Sequence, residues 1–494
     1  MFEKVSPESL GISSENIQKF VELLEENRFS THDILIARGD KLCFEKYYAP
    51  FKQGDLHRIY SSTKSFVGLA IGCLEQDGLI NLDDRIDKYF PEETKNQPDE
   101  NLKSQSIRDM LRMSTGKPCR HWWFGPKCTD RVRFYFENPR KETRPAGGIF
   151  EYDSMGSFVL GALVERITGM PFIDYLRTKF LDEIGFSKEA YCLKCPGGHS
   201  WGDSALLCTP RDFLLTARFV MNGGEWNGKQ LLNREYIKAA TSKQIDVNVI
   251  GDYDYYSRGY GYQFRLTYGD GFLFNGMGCQ QAVCIPEKDL ILIYNGDNQG
   301  KDYAYKLVVD GFFKIIANHV SDAPLPENPA AQEALHNYVK DLKLAVAIGE
   351  KESDWMDKIN GKTYTMCEND MGITKIGLEF KDGKGYFNYT NAQGDKTLEF
   401  GMCENTFGLF PQEGYADEVG GVYTPGHYLK CAASAAWVMP HQLFIKVQII
   451  DKYFGNLNIM LGFVGNQVSM FMKSAAEDFL EEYQGYAGGV LIKE

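Results

Sequence analysis

HRIYSSTKSFVGLAIGCL, running from His57 to Leu74, places Ser61 three residues ahead of Lys64 at the head of a strongly apolar segment. Positions i and i+3 of a helix share a face, so a helix beginning near Tyr60 brings the Lys64 amine within hydrogen-bond reach of the Ser61 hydroxyl. From Phe66 to Leu74 every residue is apolar or glycine, and a helix apolar all round belongs in the core of a large domain. Burial disfavours the ammonium, and a neutral amine beside a serine takes its proton and makes it a nucleophile. A second Ser-x-x-Lys match, Ser114 to Lys117, reads STGKP. Gly followed by Lys-Pro ends a helix, so that pair does not share a face.

The chain has 494 residues, more than one ordinary core accommodates, and two or three domains are expected. With 43% hydrophobic and 24% charged residues it has the composition of a soluble globular protein. Its 54 Lys and Arg against 67 Asp and Glu leave a net charge of −13, which repels phosphate backbones and argues against a nucleic-acid partner. The N-terminal MFEKVSPESLGISSENIQKF lacks a charged-then-apolar leader pattern, and no run of eighteen apolar residues occurs, so a cytoplasmic protein with no membrane partner is expected. Twelve irregularly spaced cysteines read as reduced thiols. Cys192 and Cys195 form a lone CxxC near His199, short of a four-ligand zinc set, so neither metal nor cofactor is expected.

Working outward, Pro7 to Asn27 carries Ile17, Phe20, Val21 and Leu24 at helical spacing. Asp33–Ala37 and Leu42–Tyr48 read as strands joined by a tight turn. Asp77-Gly78 stops the serine helix, and Ser106 with Asp109 forms a capping-box pattern for a helix to Met113. Between Lys117 and Gly148 an irregular stretch carries Trp122, Trp123, Phe124, Phe134, Tyr135 and Phe136, which either line a pocket or plug the core. Met155 to Tyr175 is expected as one helix, Ala205–Pro210 as a loop opening a helix that ends near Met221, and Tyr303 to His319 as a further helix. Gly271–Ile285 and Leu290–Tyr294 read as a hairpin.

Pro324, Pro326 and Pro329 punctuate the chain, and the expected organisation is a first domain over 1–322, a linker with a connecting helix over 323–349, and an antiparallel β domain over 350–494. Strict alternation at Ile376-Leu378-Phe380, Leu443 to Ile449, Leu457 to Phe463 and Val468 to Met472 marks that last part as a small barrel, lipocalin-like, or a sandwich. It carries no candidate nucleophile and is expected to shape the entrance to the site or an oligomer contact.

Taken with Tyr152-Asp153-Ser154, the Ser61-x-x-Lys64 element makes the first 320 or so residues resemble the β-lactamase-related serine hydrolases, the class C β-lactamase and penicillin-binding-protein superfamily, in its esterase and amidase branch. PAGGIFEYDSMGSFVLGALVERITGMPFIDYL, TPRDF, MNGGEWNGKQLL and GFLFNGMGCQQAVCIPEKDL fall in the family's order. The resemblance implies an α+β fold, an antiparallel sheet flanked by helices with a helical subdomain, and a site between those parts. It implies Ser61 as nucleophile, Lys64 as its partner and Tyr152 as general base, with Ser154 standing where many relatives have Asn. The family's Lys-Thr-Gly or His-x-Gly element corresponds to Gly276-Met277-Gly278, without the cation, and the Ser61 and Cys279 N–H groups are expected to form the oxyanion hole. The missing cation disfavours substrates with a carboxylate beside the scissile bond, unless Arg258 or another loop cation replaces it. The expected partner is a small-molecule ester or amide. The expected activity is hydrolysis through a Ser61 acyl-enzyme; acyl transfer by the same intermediate, and a sensor acylated without turnover, are the alternatives, and homo-oligomerisation is left open.

Overall fold

The structure, a computed structural model, describes residues 2–118, 128–137, 143–247, 258–415 and 423–492. Trp122, Trp123 and Phe124 lie outside the described residues. The chain divides into two compact units, one built on Met1–Lys343 and one on Leu344–Asp417 with Gly421–Glu494.

The first unit is organised on a seven-stranded sheet in the order Glu3–Lys4, Lys41–Tyr47, Thr31–Arg38, Leu290–Gly296, Gln280–Ile285, Phe272–Gly276, Arg265–Leu266. All neighbours are antiparallel except the short Glu3–Lys4 strand. Strand residues alternate between faces, and both faces are covered. On one, Leu273, Val283 and Leu292 meet Phe20, Val21 and Leu24 of the helix Ser14–Glu26 together with Val308 and Phe312. On the other, Phe274 takes Phe66 at 6.0 Å and Phe213 at 5.5 Å in edge-on contacts. The serine helix, Thr63–Gln76, is buried throughout Thr63 to Leu74. Burying each Leu or Phe there contributes about 1.5–3 kcal/mol, which anchors the segment that carries Ser61.

Several sequence expectations shift at special backbone positions. The first helix begins at Ser14, because a 3-10 turn over Glu8–Leu10 ends at Gly11 with φ 72°. The single helix expected over Met155–Tyr175 is two, Ser154–Thr168 and Phe172–Leu176, broken at Gly169 (φ 73°) and Pro171. Gly271–Ile285 folds back on itself as Phe272–Gly276 and Gln280–Ile285. The stretch expected to be irregular holds a helix, Arg131–Glu137; Tyr135 and Phe136 are buried, Phe136 against Phe90 at 5.6 Å, so they fill core. Within the expected Ala205–Pro210 loop, Leu206–Cys208 is a strand paired with His57–Arg58. The helix expected to connect the domains, Pro329–Val339, belongs to the first unit, where Leu335 and Val339 join the core around Ile17 and Phe20.

The second unit is a closed barrel of nine strands. From Gly394–Met402 the ladder runs through Lys384–Asn391, Lys375–Lys381, Lys362–Met366, Gly485–Leu491, Gln467–Ala476, Phe454–Val464, Gln442–Ile450 and Tyr423–Met439. Parallel pairs Gly401–Ser434 and Met402–Ala435 return to the first strand and close the ring, and Thr406–Tyr415 pairs alongside Tyr423–Met439 as a tenth strand. Alternating residues such as Leu443, Ile445, Val447 and Ile449 are buried, as their period of two requires.

Candidate active site

Ser61 sits in a 3-10 turn, Tyr60–Ser62, that feeds the helix Thr63–Gln76. Tyr60 has φ 46°, an uncommon conformation for a bulky residue, and it persists only where the surroundings enforce it. The Arg58 guanidinium lies 4.2 Å from the Tyr60 ring centroid. Gly276 approaches from the sheet so closely that a Cβ there would stand 2.2 Å from Ile59 O, so only glycine fits. The neighbouring hydroxyls fasten the turn: Ser62 Oγ donates to Gln280 O at 2.9 Å, Thr63 Oγ1 accepts from Leu206 N at 3.0 Å, and Ser65 Oγ donates to Gln263 O at 2.7 Å. The Ser61 hydroxyl instead meets Lys64.

Lys64 Nζ donates to Ser61 Oγ at 2.9 Å and to the Asp203 carbonyl at 2.6 Å. Asp203 Oδ2 lies 4.0 Å from the same nitrogen, and the two side chains are 2% and 1% exposed. Burial pushes the Asp203 carboxyl above its ordinary range, while Lys64, Arg131 and Arg58 pull it back. Arg58 and Arg131 flank Trp201 at 4.7 and 5.0 Å from its ring centroid, so the floor of the site is a buried charge cluster lined by aromatic faces.

Lys64 Nζ also lies 5.0 Å from the Tyr152 ring centroid. Tyr152 precedes the helix Ser154–Thr168, whose N-cap is Asp153: Oδ1 accepts from Gly156 N at 2.9 Å and Oδ2 from Thr115 Oγ1 at 2.7 Å. Its ring packs on Met113, Val247 and Tyr260. The three residues read as catalytic are therefore brought together. Ser154 is buried at the first helical position, but among the described residues Lys64 donates to Ser61 and Asp203 and not to Ser154.

Met277, Gly278 and Cys279 form the hairpin turn between two sheet strands, with φ 78° at Gly278 and 76° at Cys279. Gln280 braces it by donating to Met277 O at 2.7 Å and Gly296 O at 2.6 Å. The Cys279 N–H, expected in the oxyanion hole, donates to Gly276 O at 3.2 Å; the turn that positions it also uses it. Arg258 stacks on Tyr268 at 5.0 Å. A second cation beside Tyr152, after Lys64, is Arg265, 5.2 Å from its ring centroid. Asp203 and Arg265 were both invisible to motif reading, since neither stands in a patterned stretch. Asp203 lies 139 residues from Lys64.

Residues 16–308 match the Beta-lactamase family model. The chain belongs to the Beta-lactamase family. Over 227 residues it is 23% identical to the 6-aminohexanoate-dimer hydrolase of Paenarthrobacter ureafaciens, covering 42% of this chain and 56% of that one. The chain thus spans little more than half the length of that curated relative. Its fold is similar to that of a putative 6-aminohexanoate-dimer hydrolase from Bacillus anthracis, with TM-score 0.54, 19% identity, and 66% and 89% of the two chains covered. It is also similar to D-amino acid amidase from Ochrobactrum anthropi SV3, with TM-score 0.51, 17% identity, and 62% and 98% covered. This Beta-lactamase family chain therefore has the β-lactamase/transpeptidase fold of serine hydrolases, joined to a closed barrel.

Proposed function

We propose that the chain is a serine hydrolase that cleaves an ester or amide bond of a small molecule through an acyl-enzyme on Ser61. The observation that carries this is the Lys64 Nζ–Ser61 Oγ bond of 2.9 Å with the Tyr152 ring 5.0 Å from the same nitrogen. Lys64 also donates to the Asp203 carbonyl and has its carboxylate at 4.0 Å, and in this reading Lys64 serves as the cation and Tyr152 as the base. In acylation, the Tyr152 oxygen takes the Ser61 proton as Oγ bonds to the carbonyl carbon. The Ser61 N–H faces the developing oxyanion. Collapse breaks the C–O or C–N bond, and the leaving alcohol or amine takes the proton from Tyr152. Water then attacks the acyl-serine, its proton passing to Tyr152 and from there to Ser61 Oγ as the acyl C–O bond breaks, which frees the acid and restores both groups. Relatives named for amide substrates support the amide side of this reading.

The test is intact-protein mass spectrometry after incubation with a fluorophosphonate probe and with p-nitrophenyl butyrate. One phosphonyl group per chain together with steady nitrophenol release is expected. A lasting butyryl adduct without turnover would make the protein a sensor, and butyryl transfer to an added alcohol or amine an acyltransferase. Absence of both label and turnover refutes the reading.

A further inference from the structure

We infer that Arg265 is a positioning residue for Tyr152, a second cation set against the phenol ring that favours its deprotonated form for proton transfer from Ser61; this rests on the reading of Ser61, Lys64 and Tyr152 above. The guanidinium carbon lies 5.2 Å from the Tyr152 ring centroid and 5.9 Å from that of Tyr260, nearly matching the 5.0 Å of Lys64 Nζ. A cation within about 6 Å of an aromatic face is attracted by the ring's quadrupole. A phenolate spreads its charge into the ring, so the attraction grows when the proton leaves.

The backbone of Arg265 is fixed from two sides. It pairs with Leu273 in the sheet and bridges Tyr260, while Leu266 N donates to Gly259 O at 3.1 Å. The other charged groups near Tyr152 among the described residues are engaged elsewhere or oppose its ionisation. Glu151 is paired with Arg144 at 3.3 Å, Asp153 caps its helix, and Asp203 stands beside Lys64. Tyr260 is a buried phenol whose own ionisation is disfavoured by burial and then by Tyr152, and favoured by Arg265. Lys64 and Arg265 are the cations that the described residues set against its ring.

The experiment follows fluorophosphonate labelling rate from pH 5 to 9 on the full chain for wild type, Arg265→Gln, Arg265→Lys and Tyr152→Phe. An opposite charge at this range shifts a titration by about one unit or more. R265Q is therefore expected to slow labelling about tenfold on the acid side, to move the acid limb up by about one pH unit, and to approach wild type at high pH. R265K keeps the limb within about 0.3 unit. If Y152F labels as fast as wild type, the underlying reading of the site fails. If Y152F is inert and R265Q leaves the limb where it was, or slows labelling uniformly at every pH, the Arg265 inference is overturned. Should R265Q not fold, R265K decides alone: a limb displaced by a full unit overturns it.

Discussion

The two units handle buried polarity in opposite ways. The first buries Arg58, Lys64, Arg131 and Asp203, grouped beneath Ser61. Among the barrel's described residues no Lys or Arg is buried, and Glu477 is the one buried carboxylate. The tyrosines sharpen the contrast. Inside the barrel, Tyr389 and Tyr483 hydrogen-bond to each other at 2.9 Å, Tyr483 also bonds to Gln412, and burial pushes both phenols up. In the first unit Tyr152 has two cations against its ring. Taking charge out of water costs several kcal/mol per ion, and the barrel's described residues keep Lys and Arg out of its interior. Around Ser61 a tyrosine ring is set against cations; inside the barrel Tyr389 and Tyr483 satisfy each other's hydroxyls.

The largest expected effect tests which unit holds the nucleophile. Ser61→Ala should abolish fluorophosphonate labelling and ester turnover while thermal unfolding stays near wild type. Labelling that persists in that variant would place the nucleophile elsewhere. Next, Lys64→Ala and Tyr152→Phe should each slow labelling by about three orders of magnitude, with the double variant little worse, because groups acting as one unit are not additive. Losses that multiply in the double variant would separate their roles. Tyr389→Phe in the barrel should leave the labelling rate unchanged.

Asp203→Asn should have a smaller effect. The substitution keeps the carbonyl that accepts from Lys64 and removes only the carboxylate 4.0 Å away. We expect labelling to slow by about ten- to a hundredfold, the range of one lost charge partner in a buried site. The sign with pH follows from burial, which raises the Asp203 carboxyl: as pH falls through that raised value the carboxylate is neutralised and Lys64 loses its partner. The wild type should therefore lose rate on acidification more steeply than D203N. Parallel pH profiles would reduce Asp203 to its backbone contact.

What the sequence disclosed depends on how local the signal is. The Ser61–Lys64 contact is a spacing of three on a helix, and the period-two runs of the barrel are equally local. The two-strand fold of Gly271–Ile285 was missed because a continuous β-prone run conceals a three-residue turn that depends on positive φ at Gly278 and Cys279. The bond from the Cys279 amide to Gly276 O is hidden for the same reason, since it belongs to that turn's geometry. Asp203 and Arg265 reach the site from distant strands and loops, and their contributions are a carbonyl, a buried charge and a stacked cation, none of which follows a sequence pattern.

The smallest expected effect concerns which unit gives way in acid. Burial alone would raise the Glu45 carboxyl, but hydrogen bonds from Arg211, Lys4 and Tyr47 outweigh it and hold the group at about 2. Arg211 Nε donates to Glu45 Oε1 at 2.7 Å, and this joins the helix Pro210–Met221 to the strand Lys41–Tyr47. With the folded value depressed from 4.5, the unfolded chain binds more protons between the two values, so this stabilisation is present above about pH 4.5 and is lost as pH falls toward 2. Arg211 and Lys4 are partly solvated, so screening reduces the contribution to about 1–2 kcal/mol. Glu413 in the barrel is also depressed, by Tyr423 and the Gly426 amide, but its carboxylate lies at the surface. Glu45→Gln should therefore lower the melting temperature at pH 6 by a few degrees and flatten its decline between pH 5 and 3, whereas Glu413→Gln should do neither. Equal acid sensitivity in wild type and E45Q would show that some other first-unit pair, among which Glu93–Arg166 is the next to try, governs the acid transition.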